Sequence, residues 1–598
     1  MRLMAPHARR WIAVSATAAV LLGGTASALA TSGGAAHARR VAPPGTASVA
    51  GAAARAAEFA TTANPVTLDP PVRVPPERPA VVTIADNAAF GNGPPPAVTT
   101  APLPRGRWAE VVLDITGSET GRQYDRLCEV FDGPVQIFLG VTPEPVPAGI
   151  TWHVRKDITG YLPLLSGTRT FSTYVDNYLS SVDTGIPVIT ARLLFYPAGG
   201  GFRAARTASL AAPALAGDAI GETGPAAPAQ RPGVPSQVVP LLPAGGSNDF
   251  ATVNTGQTLS ATVTLPDNVT TATLDLYAVG QSADEFWWSL TPAFREIEVS
   301  VDGRPAGAVW PFPYVYTGGV NPLIWRPLTG IHTMDIPSYR LDLTPFAGLL
   351  SAAGSHTISL TVAGNAGYWL AGGSLLLTAG GAAVTGGPTS DTLSFPHTSQ
   401  VTTGNALGDS SKPVSSESAS AAYRISGTVT QGGRTWTDTL SQSLQFGNDQ
   451  SYINPSCSGP CYQWVHQEQT STGSQTVSGP DTRVTRDDAA SWTIDAPNGY
   501  LTSAGGADFF LPASVSQQLT DVATQHGDAA TQHGDADGYR TSLSESIIGY
   551  GALEEDNSVP TITSGATTGT ITATGDGDTY QRTITTRGGV ILQDLTQS

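Results

Sequence analysis

Two stretches with the same pattern, WAEVVLDITG (residues 108–117) and TATLDLYAVG (residues 271–280), decide the predicted fold. In each stretch every second residue is apolar, which is the period of a β-strand with one buried face. The apolar positions are Ala109, Val111, Leu113 and Ile115 in the first stretch, and Ala272, Leu274, Leu276 and Ala278 in the second. We therefore expect two matching strands, each opening a β-rich unit.

The sequence that follows each stretch also runs in parallel. Residues 157–159 read DIT and precede LLS at 164–166, while residues 342–344 read DLT and precede LLS at 349–351. Chance is the alternative explanation in β-rich sequence, but the shared order of features favours a duplication. The chain is therefore predicted to be all-β, with two adjacent sandwiches of antiparallel strands.

Composition divides the rest of the chain. An Ala/Pro-rich stretch predicts a flexible leader, an Ala/Gly/Pro-rich stretch predicts a linker, and Ser, Thr, Gly and Gln in alternating strands predict a further β domain. The predicted boundaries are 1–38 for a signal peptide, 39–80 for the leader, 81–198 for the first sandwich, 199–245 for the linker, 246–385 for the second sandwich and 391–598 for the C-terminal β-rich domain.

The amino terminus is typical of an export signal. Arg9 and Arg10 precede an apolar run at residues 11–23 that is too short to span a bilayer, and small-residue cleavage sites end at Ala30 and Ala38. A secreted protein with a cleaved signal and no stable membrane anchoring is expected. An uncleaved signal that stays as an anchor is the alternative.

Charge and missing motifs exclude several classes of function. The net charge is −17 and there are only two lysines, Lys156 and Lys412, so a nucleic-acid partner is not expected. The common hydrolase, zinc-protease and nucleotide signatures are absent, and no cofactor or metal is predicted. A histidine-containing heptad, ATQHGDA, occurs at 523–529 and again at 530–536. Duplication in a loop tip explains it more simply than a metal site does.

The three cysteines fit an oxidising compartment. Cys457 and Cys461, in CSGPC, are close enough for a small disulfide loop, which we predict. Cys128 is left over and is expected to be a small buried apolar residue on a strand.

Acidic residues lie at corresponding places in the two predicted sandwiches. Asp125 follows the opening strand of the first, and Asp284 and Glu285 in QSADEFWW follow that of the second. Loop acids from adjacent sandwiches can meet at a shared groove, which makes them a candidate pair. Arg126 can hold a substrate oxygen or keep a carboxylate ionised, although neighbours on a strand point to opposite faces. A surface ion pair and a turn acid are the simpler roles on composition alone.

A carboxylate pair with a bound water can hydrolyse either a glycosidic bond or an amide. Aromatic rings that could lie on sugar faces include Trp287, Trp310 and Trp325, although such rings more often pack in a core. Glu144, in TPEP, lies in a proline-fixed turn that either reaches the groove or is simply solvated. Both explanations stay open for each residue.

Four motifs follow one another along the chain: the segment from GRQYDR to TGYLPLL (121–165), DEFWWS (284–289), the segment from VWPFPY to PLTGI (309–331) and IPSYRLDLTPF (336–346). Together and in this order they resemble the plant-type peptide N-glycanase family, also called peptide-N4-(N-acetyl-beta-glucosaminyl)asparagine amidase A. The resemblance covers about residues 79–377 and continues weakly into the C-terminal region.

This resemblance implies two adjacent jelly-roll-like sandwiches and hydrolysis of the amide between an asparagine side chain and the innermost N-acetylglucosamine of N-glycosylated peptides or glycoproteins. By similarity, Asp125 would activate the attacking water. Glu285 would bind the sugar and stabilise the departing amine, and Arg126 would orient the acid or the substrate. Further substrate contacts are expected from Asp284, Glu144, Trp287, Trp152, Trp310 and Trp325. The segment AVGQSA before DEFWW departs from the family's more polar approach, which leaves the glycan selectivity open.

Two other functions are compatible with the sequence. Other peptide N-glycanases use a cysteine nucleophile, and Cys128 lies three positions after Asp125. A non-catalytic secreted glycan-binding protein would use the same acids as hydrogen-bond acceptors for sugar hydroxyls.

Overall fold

The computed structural model describes most of the chain from residue 63 onward. The described residues are 63–69, 71–72, 74–145, 148–181, 183–198, 234–241, 251–314, 327–454, 461–480, 482–502, 509–529, 540–556, 559–575 and 578–597. The predicted signal peptide, Trp325, Cys457 and the second ATQHGDA heptad lie outside them. The predicted disulfide therefore stays a prediction.

The first unit is a sandwich of two four-stranded antiparallel sheets. Its strands are β1 (Ala80–Ala89), β2 (Ala97–Pro102), β3 (Trp108–Glu119), β4 (Leu127–Asp132), β5 (Val135–Val141), β6 (Ile150–Asp157), β7 (Thr168–Val175) and β8 (Val188–Pro197). One sheet has the order β1-β8-β3-β6 and the other β2-β7-β4-β5, which is the strand order of a jelly roll. The predicted core residues Val111, Leu113 and Ile115 of β3 are buried between the sheets.

The second unit repeats this arrangement. Its strands are β9 (Gln237–Pro240), β10 (Ala251–Asn254), β11 (Thr258–Val263), β12 (Val269–Gln281), β13 (Glu296–Val301), β14 (Arg304–Val309), β15 (Tyr339–Asp342), β16 (His356–Ala363) and β17 (Tyr368–Ala379), with one short helix, α1 (Ala347–Leu350). The sheets have the orders β10-β17-β12-β15 and β11-β16-β13-β14, and β9 pairs with β17. The all-β prediction of two adjacent jelly-roll-like sandwiches is confirmed.

The duplicated DIT and DLT motifs occupy equivalent positions. Asp157 ends β6 and Asp342 ends β15. Each carboxylate accepts a hydrogen bond of 2.8 Å from the backbone N–H two residues on, that of Thr159 or Thr344. Each aspartate thus begins the short 3₁₀ turn that leaves its strand, Thr159–Tyr161 or Thr344–Phe346.

The third unit is one antiparallel sheet of very long strands. They are β18 (Val384–Asp391), β19 (Gln400–Asn405), β20 (Pro413–Gln431), β21 (Arg434–Ile453), β22 (Cys461–Ser478), β23 (Thr482–Thr502), β24 (Phe509–Ala529), β25 (Arg540–Asp556), β26 (Val559–Gly575), β27 (Asp578–Arg587) and β28 (Val590–Gln597). The strands follow each other in chain order, except that β18 and β19 both pair with β20. The sheet begins at Val384 and so includes residues predicted to end the second sandwich.

One face of this sheet packs on the second jelly roll and shares its hydrophobic core. Ile425, Phe446 and Trp492 belong to the same buried cluster as the residues of β12 and β13. The approach is close at Gly427, where a Cβ would lie 1.9 Å from the carbonyl oxygen of Pro345. Only a glycine fits between the strand and the turn there.

A half-buried ion pair joins the two jelly rolls. Lys156, on β6, donates to the carboxylate of Asp335, and its Nζ lies 5.7 Å from the ring centre of Tyr277. Burial alone lowers the pKa of Lys156, but Asp335 more than offsets this and the pKa is raised. Tyr161 of the first jelly roll also donates to Asp275 of the second. These contacts set how the two jelly rolls are oriented.

The predicted leader and the predicted linker both form specific contacts in the parts that the structure describes. Leu68, within the predicted leader, is buried, and Ala63 donates a backbone hydrogen bond of 2.8 Å to Gly589 of the third unit. The predicted linker contributes β9. The prediction failed because contacts between distant parts of the chain, not composition, order these residues. No helix among the described residues is long and apolar enough to cross a membrane.

Candidate active site

The loop that carries Asp125 connects β3 to β4 and is held by the first jelly roll itself. The backbone N–H groups of Thr184 and Gly185 both donate to the carbonyl of Arg122, at 2.8 and 2.7 Å. The Gln123 amide donates to the carbonyl of Tyr178 at 2.9 Å. These bonds fix the path of the loop just before the acid.

Arg126 holds the other side of the same loop. Its backbone N–H donates to the hydroxyl of Thr142 at 3.0 Å, and its guanidinium donates to Oε1 of Gln123 at 2.7 Å. Arg126 and Asp125 are both half-buried. The guanidinium of Arg126 is therefore directed toward Gln123, which precedes Asp125 in the same loop.

The turn that carries Glu285 connects β12 to β13, so it is topologically equivalent to the Asp125 loop. It consists of two short 3₁₀ segments, Ser282–Asp284 and Trp287–Ser289, with Glu285 half-buried between them. A Cβ at Gly280 would lie 2.4 Å from the carbonyl oxygen of Asp284. Glycine before the acid is thus needed for the turn to fold back on its own strand.

Asp284 anchors this turn and does not face a substrate. Its side chain is 0% exposed, and its two oxygens form a bidentate pair with Arg295 at 2.8 and 3.0 Å. The same oxygens accept from the backbone N–H of Ala366 at 3.0 Å and from Nε1 of Trp369 at 2.7 Å. The predicted substrate contact is wrong, because all its acceptor positions face buried donors of the second jelly roll.

The two loops place Glu285 where the charges of Asp125 and Arg126 affect its pKa. Burial raises the pKa of Asp125 to about 6, against the opposing effect of Arg126. Burial and then the charge of Asp125 raise the pKa of Glu285 to about 8, again opposed by Arg126. The charge of Asp125 therefore acts on the ionisation of Glu285.

This arrangement separates the pKa values of two neighbouring acids. Near pH 7, Asp125 is mostly ionised and can accept a proton, while Glu285 is mostly protonated and can donate one. Such a split is what allows two carboxyl groups to act as base and acid in one reaction.

The tryptophans predicted to contact sugar are core residues. Trp152 is 5% exposed, Trp287 is 4% exposed and Trp310 is 0% exposed. A Cβ at Gly117, which pairs with Trp152 across the sheet, would lie 2.1 Å from the indole ring. Nε1 of Trp310 donates to Glu296 at 2.8 Å. Burial in the hydrophobic cores leaves these rings almost no exposed surface, which argues against the predicted substrate contacts.

Glu144 is buried, so it is not a solvated turn residue, and its contact with a substrate stays a prediction. Cys128 is buried in the core of the first jelly roll, as the sequence predicted. Burial and the neighbouring Glu129 raise the pKa of its thiol. This argues against Cys128 as a thiolate nucleophile.

Sequence reasoning missed two residues at this site, Asp176 and Tyr178. Asp176 directly follows β7 and accepts from the hydroxyl of Tyr174 at 3.3 Å. Tyr178 is 56% exposed, and the charge of Asp176 raises the pKa of its phenol, against the opposing effect of Arg126. The available signal was YVDNY, an acid flanked by tyrosines immediately after a strand.

Comparisons with known proteins identify a family for the two jelly rolls. A family model described as peptide N-acetyl-beta-D-glucosaminyl asparaginase amidase A matches residues 70–368. The chain is 32% identical over 323 residues to peptide-N4-(N-acetyl-beta-glucosaminyl)asparagine amidase A from Prunus dulcis, a match that covers 50% of this chain and 54% of the relative. The chain thus matches about half the length of that relative.

Solved structures show a weaker likeness. PNGF-II has a TM-score of 0.34 at 16% identity, over 51% of this chain and 65% of that one. PNGase F, a glycosylasparaginase from Flavobacterium meningosepticum, has a TM-score of 0.33 at 13% identity, over 51% of this chain and 96% of that one. At these TM-scores the likeness carries no argument about this chain.

Proposed function

The chain belongs to the peptide N-acetyl-beta-D-glucosaminyl asparaginase amidase A family, and on that premise we propose that it deglycosylates N-glycosylated peptides or glycoproteins. The bond cleaved is the amide between the asparagine side chain and the innermost N-acetylglucosamine. The glycan leaves as a glycosylamine, and the peptide keeps an aspartate. The observation that supports this most directly is the pairing of Asp125 and Glu285 on equivalent loops, with pKa values of about 6 and about 8.

In the proposed reaction, Asp125 removes a proton from a water that attacks the amide carbonyl carbon. Glu285 contacts the sugar and gives its proton to the amide nitrogen as the C–N bond breaks. The proton held by Asp125 then returns to Glu285 through solvent, which restores both acids. Arg126 limits the rise in the pKa of Asp125 and so keeps this base ionised near neutral pH.

Exposure of Tyr178 supports a role for its ring as a contact with the sugar, in place of the buried tryptophans. Secretion through the amino-terminal signal is also part of the proposal, since an N-glycosylated substrate of this kind belongs outside the cytoplasm. No described residues bear on export.

Hydrolysis of a defined N-glycopeptide in ¹⁸O-labelled water tests the proposal. We expect one labelled oxygen in the new aspartate, detected by mass spectrometry. Asp125→Asn and Glu285→Gln should each lower kcat by about 10³-fold. Glu110→Gln is the matched control, because burial also raises the pKa of Glu110 to about 8 while it lies near the start of β3, away from the loop.

Absence of label with the wild-type chain would refute the amidase. Binding of the glycopeptide without label would instead support the non-catalytic glycan-binding protein. Equal rates for Asp125→Asn, Glu285→Gln and Glu110→Gln would show that other groups carry out the chemistry.

A further inference from the structure

The segment that follows Glu285 lies against the inner face of the C-terminal sheet. Three amide side chains of β21 and β22 donate to three consecutive carbonyl oxygens of this segment. Asn448 donates to Trp288 at 2.9 Å, Gln463 to Ser289 at 3.4 Å and Gln450 to Leu290 at 2.5 Å. We call Asn448, Gln450 and Gln463 the amide row.

The orientation of the amide row is set by further hydrogen bonds. Asn448 also donates to Oε1 of Gln467 at 2.6 Å, and its own Oδ1 accepts from Gln450 at 2.7 Å. The hydroxyl of Tyr452 donates to Oε1 of Gln450 at 2.5 Å. The side-chain oxygens of Asn448, Gln450 and Gln467 each accept from one of these donors, so the NH₂ groups of Asn448 and Gln450 point at the carbonyls of the turn. Asn448, Gln450 and Gln467 are buried, so these side chains have little contact with bulk solvent.

The same sheet holds the end of the segment through a carboxylate. Glu417, on β20, accepts from the backbone N–H of Ala293 at 2.5 Å and of Phe294 at 3.3 Å. The hydroxyls of Thr291 and Ser415 form a further hydrogen bond of 3.3 Å. Side chains of the C-terminal sheet thus bind the chain from Trp288 to Phe294 almost residue by residue.

The turn has few backbone bonds of its own. Those from Glu285 to Ser282, at 3.3 Å, from Ser289 to Phe286, at 2.9 Å, and from Leu290 to Trp287, at 3.0 Å, each span three residues. The near side of Glu285 is anchored within the second jelly roll through Asp284. The far side depends on the C-terminal sheet, because buried carbonyls without donors would favour a different path for the turn.

We propose that the amide row is a positioning device for the proposed reaction, through which the C-terminal sheet holds Glu285 against Asp125. Asn448, Gln450 and Gln463 do not touch the substrate and act only through the turn. This inference rests on the proposed function and assigns the C-terminal sheet a part in it. A displacement of about 1 Å at a reacting group can lower a rate by about 10²-fold, so modest loosening of the turn is enough to matter.

Gln450→Met in the full-length chain tests the role of the amide row, since methionine keeps the length of the side chain and removes the donor. We expect kcat to fall about 10-fold to 100-fold with little change in KM, because Glu285 is misplaced while the substrate contacts stay. The alkaline limb of the pH profile should move to lower pH. A Glu285 carboxyl that lies farther from Asp125 feels less of the negative charge that helps to raise its pKa. Asn448→Leu should act in the same way.

Gln469→Met is the matched control. Gln469 is also a buried amide of β22, but it donates to the carbonyl of Trp310 at 2.9 Å, away from the turn. Hydrogen exchange of the peptide covering residues 285–294 gives a readout that needs no substrate. Exchange there should become faster in Gln450→Met and stay unchanged in Gln469→Met.

Equal kcat values and pH profiles for Gln450→Met and Gln469→Met would overturn the inference, as would faster exchange without a change in kcat. Lack of hydrolysis by the wild-type chain would refute the proposed function instead. In that case the exchange measurement alone decides whether the amide row holds the turn, and equal exchange in the two variants rejects it.

Discussion

The Asp125 loop and the Glu285 turn occupy the same position in two jelly rolls, between equivalent strands, yet they are supported differently. The first is held by backbone and side-chain bonds from its own sandwich, through Arg122 and Gln123. The second is fastened by Asp284 on one side and by the C-terminal sheet on the other. Duplication therefore explains where in each jelly roll the two acids lie. The different contacts of the two loops explain how each acid is held.

The difference in support separates the effects of mutations at the two loops. A change in the C-terminal sheet should reach Glu285 and leave the Asp125 loop as it is. A change within the first jelly roll should do the reverse, because additive effects are expected for sites that share no partners.

The largest expected effect comes from Asp284→Ala, which breaks the anchor of the second loop. The buried guanidinium of Arg295 loses its carboxylate, so we expect the free energy of unfolding to fall by about 3–5 kcal/mol. The measurement is urea denaturation followed by tryptophan fluorescence. Asp183→Ala is the control beside the first loop, where the 3.5 Å pair with Arg122 is partly exposed and worth about 0–1 kcal/mol. Similar losses in both variants would contradict the difference in support.

A smaller effect is expected from Lys156→Met, which breaks the contact between the jelly rolls and so affects both loops alike. Asp335 would be left without its cation, at a cost of about 2–3 kcal/mol because the pair is only partly shielded. The double variant Lys156→Met, Asp335→Leu should recover much of this loss, since no unpaired charge remains. Denaturation of the three proteins measures it, and a double variant weaker than the single one would count against the pair as the link.

Gln123→Leu loosens only the first loop. It removes the bonds to the Tyr178 carbonyl and to the Arg126 guanidinium, so we expect a loss of about 1–3 kcal/mol and a lower kcat. Hydrogen exchange should become faster in peptides covering residues 120–126 and stay the same in those covering 285–294. Faster exchange in both peptides would show that the loops are not held independently.

A further effect on stability depends on pH and concerns the ionisation of Glu285. The pKa of Glu285 is raised from 4.5 to about 8, so the folded state keeps a proton that the unfolded state loses first. The free energy of unfolding should therefore fall as the pH rises from about 4.5 to about 8. Glu285→Gln lacks this penalty and should gain stability relative to the wild type over the same range. No relative gain at pH 8 would mean that Glu285 is not buried beside Asp125.

The same two pKa values predict the activity profile. kcat/KM should rise through about pH 6 as Asp125 ionises and fall through about pH 8 as Glu285 loses its proton. The measurement is the initial rate at low glycopeptide concentration between pH 4 and pH 10. In Glu285→Gln, the residual activity should have no alkaline limb.

Local pattern was enough for much of the fold. The alternation in residues 108–117 and 271–280 places the core of β3 and β12, since side chains on a strand alternate between two faces. The parallel order of DIT and DLT correctly indicated two equivalent sandwiches. Burial of Cys128 followed from its place in an apolar strand.

Long-range packing decided what the pattern could not. Asp284 and Glu285 are neighbours in sequence, but Asp284 is buried against Arg295 while Glu285 is only half-buried and its pKa is affected by Asp125. Trp152 and Trp310 are buried by partners from other strands that no local pattern reveals. The ordered leader around Leu68 likewise depends on residues hundreds of positions away.

By itself, the sequence determined the all-β class, the duplication and the two loops that carry the acids, because these depend on the periodicity of side chains along a strand and on motif order. Only the tertiary structure decided that Asp284 of the DEF motif is buried while Glu285 is partly exposed, that Tyr178 is exposed, and that the C-terminal sheet supports the Glu285 turn. Those properties arise from burial and from hydrogen bonds between residues far apart in the chain, and both are defined only once the chain has folded.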